Sequence, residues 1–149
     1  MSAFDWRGLP LAERILGACG VLLFIDLLFT WQGVSILGTT VGVSGWHGAN
    51  GLLLGIAVTA LVVFEVVRLL GDRAAAARAL VAVPDALAST ALAGTVLVLG
   101  VLKFLTAHQL RRWPEYVGLV LAVAIGYGGW LARSRSTAES PEPARAPGA

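Results

Sequence analysis

Asp26 and Lys103 are the residues whose type and setting most invite chemistry. Asp26 lies inside F-I-D-L-L-F-T-W, residues 24 to 31, at the end of an apolar run, and Lys103 closes another apolar run. A charge at the centre of a bilayer costs about 2.5–3.5 kcal/mol on insertion scales and less near the interface, so two opposite charges at one depth are expected to offset each other. The sequence therefore predicts an intramembrane charge pair between Asp26 and Lys103. Its plain role is a salt bridge, and its functional role is an ion or proton site. Glu65 and Arg68, three residues apart on one apolar run, are spaced to meet on a helix surface as an inner-end ion pair.

His47 and His108 flank two other apolar stretches and fall at one depth, which admits two axial imidazoles or part of a metal site. Metal ligation wants more donors and supporting acceptors, and no carboxylate adjoins either histidine, so ordinary interfacial histidines are the expectation. The single cysteine, Cys19, excludes an intramolecular disulfide and reads as a small packing residue. The chain contains no G-x-x-x-x-G-K-[ST], G-x-S-x-G, H-E-x-x-H or C-x-x-C motif, so no catalytic residue, cofactor or metal is expected.

These residues must be positioned by membrane helices. The chain has 149 residues, of which 57% are hydrophobic and 13% charged, against about 45–50% and about 25% in soluble domains. A soluble fold of this size could not hide so much apolar surface. The net charge is only +2, and the basic residues form no patch interleaved with aromatics, so nucleic acid is not an expected partner. Ten of the eleven basic residues are Arg, consistent with a GC-rich, bacterial genome.

Four spans are expected, at about 15–31, 48–70, 86–105 and 114–132, forming an all-α four-transmembrane-helix bundle. The apolar run after Arg14 is long for a signal sequence and is closed by Phe29 and Trp31, so it reads as an uncleaved first span. Residues 1–14 form an interfacial lead-in, with Pro10 where a helix can begin. Trp31, Trp46, Trp113 and Tyr116 are the expected interface anchors. Gln32 to His47 carries no formal charge, four glycines and loosely alternating β-branched residues. It reads equally as a short hairpin on the membrane face or as an irregular Gly-rich loop. Gly51 and Gly55 form a G-x-x-x-G pair suited to close helix packing. Gly71 to Pro84 reads as a short amphipathic surface helix, and residues 133–149 as a disordered tail.

Lys and Arg counts set the orientation. Arg7, Arg14, Arg68, Arg73, Arg78, Arg133 and Arg135 fall on one side, against Lys103, Arg111 and Arg112 on the other. Both termini are therefore expected in the cytoplasm of a multi-pass cell-membrane protein.

The segments F-I-D-L-L-F-T-W at 24 to 31, V-S-G-W-H-G at 43 to 48, Y-V-G-L at 116 to 119 and G-G-W-L-A at 128 to 132 carry a resemblance. The chain resembles a group of small, uncharacterised four-helix integral membrane proteins of actinobacteria, from which it departs by having Asp26 and Thr30 in place of a neutral residue and a proline. The resemblance implies the four-helix topology and supplies no catalytic residue. The functional expectation is a non-enzymatic membrane component, packing with itself as a homo-oligomer or with a membrane-protein partner in the lipid bilayer. The alternative is a small transporter or channel subunit using Asp26, with Lys103, as its ion or proton site.

Overall fold

The computed structural model describes residues 8–69, 85–106 and 110–138, without the side chains of 34–36, 40, 110 and 111. Four helices and three short strands follow in the order α1 (Leu11–Asp26), β1 (Thr30–Ile36), β2 (Thr39–Ser44), α2 (Gly48–Leu69), α3 (Asp85–Thr106), β3 (Leu110–Arg111) and α4 (Trp113–Ala138). The expected surface helix at Gly71 to Pro84, His108, and the expected lead-in up to Arg7 lie outside the described residues. So do residues 139–149 of the expected tail.

The helices α2, α3 and α4 are each long and apolar enough to cross a membrane. The first helix is shorter, at 16 residues or about 24 Å. It starts directly after Pro10, whose carbonyl accepts from the Arg14 amide at 3.1 Å. The expected first span to Trp31 is corrected here. The helix stops at Asp26, a turn follows, and by Thr30 the chain is a β-strand. Hydropathy cannot see this stop, because Leu27, Leu28 and Phe29 continue the apolar run beyond Asp26. At the other end of the chain, α4 runs to Ala138, so the stretch 133–138 assigned above to a disordered tail is helical. Ser134, Ser136 and Thr137 hydroxyls there bond back to main-chain carbonyls of the same helix.

Each helix packs on two neighbours, in the cyclic order α1, α2, α3, α4. Leu16, Leu23, Leu54, Val58, Val96 and Ile125 are among the fully buried residues between them. All four helices also expose large apolar side chains outward, such as Leu22, Ile56, Val98 and Val120.

The three-stranded sheet has the order β2-β1-β3, all antiparallel, and caps one end of the bundle. The stretch read as either a hairpin or a loop is a hairpin. Its two-residue turn, Leu37-Gly38, has φ of 50° and 81°, the positive values of a type I′ turn whose twist suits paired strands. The third strand comes from the short polar segment after α3 and pairs Gln32 with Arg111 and Gly33 with Leu110. The amide of Arg112 adds a bond to the Trp31 carbonyl at 2.9 Å. The cap thus ties the end of α1 and the start of α2 to the turn between α3 and α4.

Candidate functional site

Ionisable side chains gather at both ends of the bundle. At the sheet end, Asp26, Lys103 and Glu115 are 6%, 6% and 0% exposed. Asp26 is the last residue of α1, Lys103 stands in the last turn of α3 and Glu115 in the first turn of α4.

The expected ion pair between Asp26 and Lys103 is not formed. The Lys103 ammonium donates to the main-chain carbonyl of His47 at 2.6 Å, just before α2, and the charge acting on it is that of Glu115. Lys103 therefore ties α3 to the start of α2 and lies within electrostatic reach of the Glu115 carboxylate on α4. Asp26 lies against α4 at another point. A Cβ placed on Gly118 would come within 2.9 Å of Asp26 Oδ2 and would overlap the Trp31 indole. Only a glycine lets the carboxyl and the indole both reach the α4 backbone here. Asp26 Oδ2 is buried and has no hydrogen-bond partner.

Trp31, read above as an interface anchor, is 2% exposed. Its indole N–H donates to the Asp26 main-chain carbonyl at 3.0 Å and also bears on the carboxyl group. The correction has a clear cause: β1 is the central strand of the cap, so the residue that follows the end of α1 is turned down into the bundle rather than out to its rim. Trp46 is also partly buried, edge-on to Phe24 with ring centroids 6.0 Å apart. It occupies the notch left by Gly55, while Gly51 lies against the Gly45 and Trp46 backbone. The G-x-x-x-G pair thus receives the turn before α2 instead of another helix. Trp113 and Tyr116 are exposed, and Tyr116 packs edge-on to Phe104.

Beside Lys103, Gln32, His47, Asn50 and Thr106 line an open polar cavity of about 300 Å³ at the sheet end. Asn50 Nδ2 donates to Thr106 Oγ1 at 3.1 Å across it. His47 is exposed, and among the described residues no group of three or more His, Cys, Asp or Glu side chains could hold a metal ion. Cys19 is half-buried against the apolar core.

The opposite end holds a different arrangement. Arg68 lies 3.6 Å from Glu65 on the same helix and pairs with Glu13 of α1. Ser89 of α3 accepts from Arg68 at 3.1 Å and donates to Glu65 at 2.8 Å. The sequence places Glu65 beside Arg68 but carries no local sign of Glu13 or Ser89 as their partners. Glu115, and the role of Gly118 beyond that of a thin packing surface on the fourth span, are the other features missed. A signal for them existed: Glu115, Gly118, Ala122, Ile125 and Gly129 recur at helical spacing, all buried, and Glu115 is the first member of that stripe.

No protein-family model, curated protein or solved structure matches the chain. The site therefore rests on its own geometry. Chemically, the sheet end offers a buried ammonium held by a main-chain carbonyl and within electrostatic reach of Glu115 and, separately, a buried carboxyl group with one unbonded oxygen.

Proposed function

We propose that the protein is a non-enzymatic, multi-pass membrane component in which α1 joins α2, α3 and α4 as a fourth span, and which packs with itself or with a membrane partner. The observation that carries this reading is the distribution of apolar surface. All four helices turn large apolar side chains outward, while the core between the two charged ends is built from Leu16, Leu23, Val58, Leu61, Val96 and Ile125. A core of that kind gives a bundle its cohesion and offers an ion few polar steps from one end to the other, the part-buried Thr59 and Thr90 hydroxyls being bonded to main-chain carbonyls. In this reading both termini lie in the cytoplasm and the sheet caps the outer face. Reporter fusions after Gly42 and Ala76 test the orientation, with cytoplasmic signal expected only from the second.

A second reading, a small transporter or channel subunit using Asp26, is favoured by the unbonded Oδ2 of that residue. Proteoliposome flux separates the two. No proton or alkali-cation flux above empty vesicles is expected of a structural component. Flux abolished by Asp26→Asn would instead establish transport. Mild-detergent purification, with analysis of size and copurifying chains, tests the packing role directly.

A further inference from the structure

We propose that Asp26 is a proton-binding site: its carboxyl group holds one proton in the folded protein, beneath the central strand of the sheet cap. Asp26 is 6% exposed, and its Oδ2 has no donor. From α4 it meets Gly118, which brings only backbone and hydrogen, and one turn earlier on that face stands Glu115, an acid. From β1 it meets Trp31, whose N–H donates to the Asp26 main-chain carbonyl and also bears on the carboxyl group, as a neutral donor. The cation of this end, Lys103 on α3, is bonded to the His47 carbonyl and lies within electrostatic reach of Glu115. Arg112, which follows β3, is exposed, as is His47 before α2. No ion pair reaches Asp26 among the described residues.

A carboxylate in such a place loses most of its hydration, with the Trp31 N–H as a neutral donor and no opposite charge paired with it among the described residues. A carboxylic acid carries far less, so the proton is the cheapest way to balance the site. A water-borne proton adds to a carboxylate oxygen on loading and returns to water on release, with no other bond made or broken. The site stands independently of whether the proton ever crosses the membrane.

Isotope-edited infrared spectroscopy of the full chain in detergent at neutral pH tests this. The wild type is expected to show the carbonyl stretch of a protonated carboxylic acid, shifted by ¹³C-aspartate labelling and absent in Asp26→Asn. The chain has four aspartates, Asp5, Asp26, Asp72 and Asp85. The triple variant Asp5→Asn, Asp72→Asn, Asp85→Asn should therefore keep the labelled band, and this arm decides the matter even if Asp26→Asn does not fold. Lys103→Gln should also keep it. Absence of a labelled acid band from the wild type or from the triple variant overturns the proposal, as does its survival in Asp26→Asn. A band abolished by added sodium chloride, but not by choline chloride, would overturn the proton assignment in favour of a metal-cation site.

Discussion

The two ends of the bundle solve the same problem differently. Away from the sheet, Arg68 is shared by Glu13 and Glu65, and Ser89 relays between Arg68 and Glu65, so charges from two helices and a hydroxyl from a third stabilise one another. At the sheet end, Lys103 spends a hydrogen bond on the His47 main chain and its charge on Glu115, which leaves Asp26 without a cation. The first arrangement is a clamp: its groups are mutually paired and adapt little. The second combines a clamp with a buried acid, which has a change of state available to it. Glu65 at one end is as buried as Asp26 at the other, so burial alone does not separate structural from chemically active groups. Partner assignment does.

Variants can break this contrast. Lys103→Met removes the ammonium facing Glu115 and the donor to the His47 carbonyl. It should lower stability by about 1.5–3 kcal/mol, the range for a hydrogen bond to a charged group, in denaturant titrations in micelles. A loss no larger than that of a single neutral hydrogen bond would mean that the sheet end is not clamped at all.

Gly118→Ala comes next. The added methyl meets both Trp31 and Asp26 Oδ2, and overpacking of this kind should cost about 1–3 kcal/mol and alter Trp31 near-ultraviolet circular dichroism. An unchanged spectrum would show that Trp31 is not held against α4. Ser89→Ala removes the relay between Arg68 and Glu65 but leaves their ion pair, and should cost about 1 kcal/mol by the same titration. A cost matching that of Lys103→Met would place the two ends on an equal footing.

The smallest effect is expected in the cap itself. Leu37 is fully exposed at φ 50°, a left-handed conformation disfavoured for a bulky residue, and it precedes Gly38. Leu37→Asn supplies the Asn-Gly pair preferred in type I′ turns and should stabilise the protein by about 0.5–1 kcal/mol. Amide hydrogen exchange would register the gain in the hairpin strands and not near Ser89, since the two lie at opposite ends.

Much of the helical layout was legible. The second, third and fourth helices start at or within one residue of the expected positions, because Pro114, Asp85 and the Gly-rich approach to α2 are local boundary signals. The end of α1 was not legible: Leu27, Leu28 and Phe29 continue its apolar run, and only pairing of β1 with both β2 and β3 draws the chain out of the helix. The two-residue β3 offers no periodicity of its own and exists because β1 presents an edge for it to bond. At the site, the pairing of Asp26 with Lys103 followed from depth alone. Depth is a one-dimensional coordinate, whereas a salt bridge also needs both side chains on facing sides of adjacent helices.

What the sequence by itself determined is which segments are apolar enough to be helices of membrane type, roughly where they stop, and that charges concentrate near their ends. Those properties are sums over neighbouring residues and need no knowledge of the rest of the chain. The tertiary structure alone decided that Trp31 turns inward over Asp26, that Gly118 makes room for both, and that Lys103 serves Glu115 and His47. Each of these depends on the rotation of one helix against another and on a sheet joining residues far apart in sequence. Partner choice between buried charges is set by that geometry.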